Sequence, residues 1–370
     1  MSTNRKQTRQ VRVGKVAIGG GAPVSVQSMT STHTHDVEAT LEQIHRLAAA
    51  GVDLVRVAVP TKADTDALPE IIKASPVPII ADVHFEIQRA LEAAEAGAAK
   101  IRLNPGTLSD QSKALRVIAA CKERNIPIRI GVNEGSAVER FDAQKRSQHE
   151  QLLAGNRRTG LVQVMVDRLA EYVRLFEKHG FTDLVLAAKS ADPLIVIDAY
   201  RAISTTFDYP LHLGVTHAGP PQTGRIRSVA ALSALLAEGI GDTLRISYAA
   251  DPVHEVDDGI ELLHCLGLRR RTRPELIACP TCGRLEVDLL SLVEKVQHRL
   301  KAIQAPIKVA VMGCVVNGPG EAEGADVALF AGRGKAVICV EGRQVRTVGE
   351  DRMLDALMDE VRAFVARGGK

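Results

Sequence analysis

Residues 51–105 read GVDLVRVAVPTKADTDALPEIIKASPVPIIADVHFEIQRALEAAEAGAAKIRLNP. Three short β-rich runs stand out, Leu54–Ala58, Ile79–Val83 and Lys100–Leu103, with helical periods between them. Gly51 and Gly97 each sit where a helix stops and a strand begins, and glycine takes the left-handed conformation of a helix C-terminus without steric cost. The pattern extends outward in both directions. Pro23–Ser28, Ile128–Val132, Asp183–Ala187, Leu211–Val215 and Asp242–Ser247 are further β-like runs, and Gly180 and Gly239 precede two of them in the same way. Helical stripes fill the intervals, such as Val162, Met165, Val166, Leu169, Val173 and Phe176. Another stripe, Val253, Val256, Ile260 and Leu263, is opened by Asp251-Pro252 as cap and first-turn proline. Eight β-then-α units in roughly 250 residues predict an α/β fold, a TIM (β/α)8 barrel over residues 1–268. An open doubly wound sheet is the alternative with the same alternation.

Composition agrees with that class. Of 370 residues, 45% are hydrophobic and 25% charged, which are globular values, while aromatics are 3% and Trp is absent. The core must therefore be built from Val, Ile, Leu and Ala, as strands covered by helices allow. A formal net charge of +3 is too small for a dedicated nucleic-acid binder. No apolar run approaches a membrane span. The polar, basic start, Met1–Arg12, is followed by no hydrophobic region, so it does not read as a secretory signal. A cytoplasmic chain with six reduced cysteines is expected. Glu134 to about Gly160 is long and polar and reads as a loop, a candidate lid over the barrel rim. Gly19-Gly20-Gly21 reads as a turn before the first barrel strand.

A second domain, residues 269–370, begins at the basic run Arg269, Arg270, Arg271 and Arg273, which reads as a solvated linker. A cysteine-bearing turn follows, then a helix from about Glu286 to Ala302, a strand at Ile307–Met312, a glycine-rich loop, β-like runs at Val327–Phe330 and Ala336–Val340, and a final helix. This predicts a small α+β domain. Its chemistry lies in Cys279-Pro-Thr-Cys282, with Cys314 after 31 intervening residues and Glu321 beyond it. Two thiolates on one turn and a third from another segment can hold one metal centre, with a fourth ligand needed from Glu321 or His298. The spacing alone leaves open a structural Cys3His zinc site and an iron–sulfur cluster. Cys121, Cys265 and Cys339 lie in apolar patterns and read as buried, inert thiols.

The barrel carries the second signal. Arg56 ends the second run, Asp82 and His84 the third, Arg102 and Asn104 the fourth; Arg129 and Asn133 flank the fifth, Lys189 ends the sixth, Thr216-His217 the seventh, and Arg245 with Ser247 the eighth. Four arginines and a lysine at C-terminal strand ends would converge on one mouth, with Asp82 the only acid among them. That imbalance calls for a strongly anionic ligand such as a diphosphate.

These motifs resemble a known family. Val26-Gln27-Ser28-Met29-Thr30, Asp82-Val-His84-Phe, Ile101-Arg102-Leu-Asn104-Pro-Gly106, Gly131-Val-Asn133, His212-Leu-Gly214-Val-Thr216, Cys279-Pro-Thr-Cys282 and Cys314-Val-Val-Asn317-Gly-Pro-Gly-Glu321 are similar to those of 4-hydroxy-3-methylbut-2-enyl diphosphate synthases of the two-domain bacterial type, in the same order from about residue 10 to 365. The resemblance implies a 4Fe–4S cluster on Cys279, Cys282, Cys314 and Glu321, and reductive ring opening of 2-C-methyl-erythritol 2,4-cyclodiphosphate. It implies ferredoxin or flavodoxin as electron donor, and a homodimer in which one chain's cluster domain caps the other's barrel. Arg56, Arg102, Arg129, Asn133, Lys189, Arg245 and Ser247 would hold the diphosphate, and Glu321, His217, Asp82 and His84 would form the catalytic set. The family pattern has Glu where this chain has His217, which is then either a spectator or that acid's replacement as proton donor or contact. Two other classes fit parts of the chain: a redox-silent barrel transferase with a structural zinc, and a non-catalytic iron–sulfur carrier.

Overall fold

A computed structural model describes residues 5–83, 86–103, 111–137, 143–314, 320 and 322–368. The chain divides into two compact units, Met1–Arg269 and Arg270–Lys370.

The first unit opens with a small antiparallel hairpin, β1 (Val11–Val13) and β2 (Val16–Ile18), turned at Gly14 with φ +56°. Eight parallel strands follow: β3 (Ser25–Met29), β4 (Leu54–Ala58), β5 (Ile79–Val83), β6 (Lys100–Leu103), β7 (Ile128–Asn133), β8 (Leu184–Lys189), β9 (His212–Leu213) and β10 (Thr243–Leu244). Their order is β8-β7-β6-β5-β4-β3-β10-β9, and a parallel bridge from Leu186 to Leu211 joins the two end strands, so the sheet closes on itself as a (β/α)8 barrel. Between the strands run α1 (Val37–Ala50), α2 (Lys62–Ala74), α3 (Ile87–Glu95), α4 (Gln111–Glu123), α5 (Glu134–Ala137), α6 (Ala143–Gly155), α7 (Arg157–Lys178), α8 (Pro193–Thr206), α9 (Pro221–Ala237) and α10 (Pro252–Cys265). Gly51, Gly97, Gly180 and Gly239 all have positive φ, as the strand-entry pattern requires. Asp251 caps α10 by accepting from the Val253 amide. Asp192 does the same for α8 through Leu194.

The hairpin forms the floor of the barrel. Val11, Val13 and Ile18 pack with the inward-facing Leu54, Ile80 and Val185 as one buried cluster. The segment before the hairpin is tied across the chain. Lys6 N donates to Gly239 O (3.0 Å), Arg9 N to Asp208 O (2.7 Å), and Arg5 pairs with buried Asp242 (2.9 Å). Nothing in the sequence reading assigned these strands, because two three-residue runs are too short to show a period.

The stretch from Glu134 to Gly160 is a correction: it is largely helical. α5, α6 and the start of α7 occupy it, apart from residues 138–142, which lie outside the described residues. Asn156 caps α7 by accepting from Arg158 and Thr159 amides. A Cβ on Gly160 would lie 2.3 Å from Leu152 O, so the close turn from α6 into α7 requires glycine. The helix escaped notice because α6 is polar on every side and has no apolar stripe to read.

The second unit is a five-stranded sheet, β11 (Glu275–Ala278), β12 (Lys308–Met312), β13 (Val327–Gly332), β14 (Lys335–Val340) and β15 (Arg343–Gly349), in chain order. β11, β12 and β13 are parallel; β13, β14 and β15 are antiparallel. Helices α11 (Leu289–Leu300) and α12 (Met353–Ala366) cover one face, with Val296, Leu300, Leu357 and Val361 in its core. The basic run is anchored and not merely solvated: Arg269 reaches Asp53 (3.0 Å) and Arg271 reaches Glu275 (3.6 Å).

Candidate functional site

Alternation along the barrel strands sends every second side chain inward. Arg56 on β4, Asp82 on β5, Arg102 on β6, Arg129 on β7 and Lys189 on β8 are all buried, and the Arg245 side chain after β10 is 14% exposed. Asp82, Arg102 and Arg129 are register partners across three neighbouring strands. Asp82 bonds Arg102 (2.9 Å) and pairs with Arg56 (3.4 Å). Arg56 donates twice to the Met29 sulfur (3.2 and 3.0 Å), and Arg245 approaches the same sulfur at 3.6 Å. A thioether is a neutral acceptor, so it holds two guanidiniums without cancelling their charge.

Sequence reasoning missed three members of this cluster. Lys100 lies two residues before Arg102 on β6, hence on the same inward face, and is fully buried with no partner for Nζ among the described residues. His212 on β9 is fully buried, and its Nε2 is 3.4 Å from Lys189 Nζ. Glu255 reaches in from α10, pairs with Arg245 (3.3 Å) and accepts from the Tyr248 amide (3.0 Å), so Asp82 is not the only acid. The period-two relation of Lys100 to Arg102 was a usable signal; Glu255 was hidden within a helical stripe.

Among the described residues, Arg56, Lys100, Arg102, Arg129, Lys189 and Arg245 thus face two carboxylates, Asp82 and Glu255. Burial, followed by repulsion from neighbouring cations, holds Lys100, Arg129 and Lys189 well below their ordinary pKa values. Burial lowers Arg56 to about 10, against the opposing pull of Asp82. Burial also holds His212 well below 6.5, with Lys189, Arg129, Lys100 and Arg56 adding to the shift. Such a cluster is strained while empty and relieved by an anion that brings several negative oxygens.

The other expected site residues are placed less centrally. Asn133 ends β7 beside Lys189 in register, and its amide bonds Ser136 Oγ (3.1 Å). Ser247 is half-buried after β10. His217 is exposed, in a left-handed backbone conformation with φ 52°, and no contact with the cation cluster is found among the described residues. His84 and Asn104 lie outside the described residues.

In the second unit, Cys279 follows β11 and Cys314 follows β12, and these strands are parallel neighbours. Both thiols therefore leave the sheet at the same end. The Gly313 amide donates to Cys279 Sγ at 3.2 Å. Cys282 is exposed on the turn between β11 and α11. Gly313 is needed where the chain passes Leu285, since a Cβ there would lie 2.3 Å from Leu285 Cδ2. Glu321 lies outside the described residues, which contain no cluster of three or more His, Cys, Asp or Glu close enough to hold a metal ion. His298 does not join the cysteines. α11 begins beside Gly313 through Leu289, and His298 is exposed nine residues on, about 14 Å along the helix axis. Of the remaining thiols, Cys121 is buried and pushed up to about 12, and burial raises Cys339. Cys265 is a correction: it ends α10 exposed, bonding Glu261 at 3.5 Å.

Comparison with known proteins bears on both units. Residues 8–260 match the GcpE TIM-barrel domain, and residues 275–363 match the GcpE protein C-terminal domain. A protein of Desulfotalea psychrophila named 4-hydroxy-3-methylbut-2-en-1-yl diphosphate synthase (flavodoxin) is 48% identical over 359 residues, 97% of this chain and 96% of its own. Its namesake in Corynebacterium glutamicum is 45% identical over 361 residues, 97% of this chain and 92% of its own. Among solved structures, the Yersinia pestis dihydropteroate synthase is similar at 14% identity and a TM-score of 0.48, over 70% of this chain and 97% of that one. On its two matched domains and its near-half identity over almost the full length, the chain belongs to the 4-hydroxy-3-methylbut-2-en-1-yl diphosphate synthase family.

Proposed function

We propose that this chain carries out the reaction its relatives are named for, opening 2-C-methyl-D-erythritol 2,4-cyclodiphosphate reductively to 4-hydroxy-3-methylbut-2-enyl diphosphate in the non-mevalonate isoprenoid route. One ring carbon–oxygen bond breaks, a hydroxyl takes up one proton and leaves as water, and two electrons enter. The observation that carries this reading is the set of five buried cations, joined by part-exposed Arg245, facing two carboxylates in one barrel mouth. When the ring opens, the phosphoryl oxygen released from carbon gains negative charge. Preorganised donors aimed at that oxygen stabilise it more than they stabilise the closed ring. Arg129, Lys189 and Lys100 suit this role because no carboxylate pairs with them among the described residues. Arg56, Arg102 and Arg245 are held in place by Asp82, Met29 and Glu255 and hold the diphosphate through charge-assisted bonds. Asn133, Ser247 and His217 belong to the rim in this reading, with His217 the substrate contact or proton donor, and His84 is proposed as a further member of the catalytic set.

Cys279, Cys282 and Cys314, with Glu321 as fourth ligand, fit a 4Fe–4S centre by donor type and by the Gly313 amide that supports Cys279. Bound there, it supplies electrons one at a time. Flavodoxin is the donor in the relatives' names and is the donor we assign, with ferredoxin the other carrier of the same class. The barrel's cations and the second unit's thiols sit on separate units, which supports a homodimer in which one chain's thiol domain caps its partner's barrel. Among the described residues no helix is long and apolar enough to cross a membrane, and we place the protein in the cytoplasm. The test is cyclodiphosphate binding and turnover with reduced flavodoxin. Arg129→Gln should weaken binding by about 1.5–3 kcal/mol, the range for hydrogen bonds to charged groups. Wild-type affinity in that variant, or an unchanged cyclodiphosphate with the loaded wild-type protein, would overturn the assignment.

A further inference from the structure

β8 and β9 meet at the seam that closes the barrel. Leu186 N donates to Pro210 O (2.9 Å), and Thr216 N donates to Ser190 O (3.1 Å). Bonds of a parallel ladder recur every second residue, so the bond after Leu186 should run from Ala188 N to His212 O. It does not form. Tyr200, on α8 and fully buried, puts its hydroxyl between the two groups: Ala188 N donates to it at 3.2 Å, and it donates to His212 O. The hydroxyl is a spacer in the seam.

The two backbone groups it separates adjoin the two side chains that meet inside. Lys189 follows Ala188, and its Nζ is 3.4 Å from His212 Nε2. Against a charged Lys189, which offers only donors, the imidazole presents a lone pair at Nε2 and is neutral with its proton on Nδ1. Nδ1 itself has no partner. On the other side, a Cβ at Gly214 would lie 2.5 Å from Lys189 Nζ, so the lysine passes closely over a bare backbone. The charged groups that act on this pair are Arg56, Lys100, Arg102, Arg129 and Arg245 from the barrel strands and Glu255 from α10.

We propose that His212, set in place by the Tyr200 hydroxyl, is a positioning residue: it accepts one N–H of Lys189 and aims the other two at the diphosphate. A carboxylate at this position would orient the lysine equally well but would cancel its charge and compete with the ligand. A neutral ring orients without cancelling, as the Met29 sulfur does for Arg56 and Arg245. This inference rests on the reading that Lys189 binds the diphosphate.

The experiment is calorimetric binding of the cyclodiphosphate to the full chain, comparing wild type, Lys189→Met, His212→Leu, His212→Gln and the Lys189→Met/His212→Leu double variant. His212→Leu should weaken binding about tenfold, as for coupled neighbours. His212→Gln keeps a neutral acceptor and should stay within about threefold of wild type on the same scale. The double variant should bind no more weakly than Lys189→Met alone. Wild-type binding in His212→Leu with Lys189→Met impaired would overturn the inference and leave the reading of Lys189 standing, as would fully additive losses. Wild-type binding in Lys189→Met would overturn that reading itself. If His212→Leu does not fold, Tyr200→Phe takes its place: it keeps the ring and removes the spacer, and its loss of affinity should vanish in the Lys189→Met background. A loss that persists there would refute the positioning role.

Discussion

Lys100 shows what a binding residue costs while the site is empty. Its amine is fully buried with no partner among the described residues, and burial, then Arg129 and Arg56, hold its pKa well below 10.5. The unfolded chain keeps that proton up to its ordinary pKa, whereas the folded chain gives it up earlier. Folded stability should therefore rise with pH between the lowered value and about 10.5, and level off above it. Lys100→Met removes both the buried charge and the titration. It should stabilise the ligand-free protein by about 1–4 kcal/mol at pH 7, flatten the gain seen in urea melts between pH 7 and 9, and weaken diphosphate binding. A variant less stable than wild type with the same slope would mean that the lysine is paired. This residue also marks how far the site could be read beforehand. Charges interrupting apolar runs at Arg56, Arg102, Arg129, Lys189 and Arg245 are visible in one dimension. Lys100 and His212 stand first and second in their runs, and inward alternation turns them into the same interior, with Lys100 one layer nearer the floor, in register with Ile80.

Among the elements, α6 and α7 depend most on a single backbone contact. Gly160 lies in the first turn of α7, where a side chain would strike the Leu152 carbonyl of α6. Gly160→Val should force the two helices apart at a cost of about 1–3 kcal/mol, typical of overpacking. Hydrogen exchange would show it as faster exchange of α6 amides with β8 and α8 unchanged; equal protection of α6 in both proteins would mean the helices do not need this approach. The strands and long amphipathic helices were legible because burial on one face leaves a period. α6, the floor hairpin, the four-residue β11 and β15 were not. α6 and β15 are held by a neighbour while facing solvent over most of their length, and each hairpin strand is only three residues long.

For the whole molecule, the two units make separable predictions about metal. Anaerobically prepared protein should carry about four irons per chain, and Cys279→Ser, Cys282→Ser and Cys314→Ser should each lose them. His298→Ala should keep them, since its helix carries it away from the cysteines. Stoichiometric zinc, or iron lost on changing His298, would reverse the assignment of ligands. The barrel floor has a consequence for how the chain is made. Val11, Val13 and Ile18 leave the ribosome early, but their partners extend to Val185, and the strap before them is tied to Asp208, Gly239 and Asp242. At about 5–20 residues per second, the nascent chain waits roughly 12–50 s before those partners are synthesised. Throughout that interval an apolar hairpin stands without its socket, which makes this segment a natural client for a chaperone at the exit tunnel.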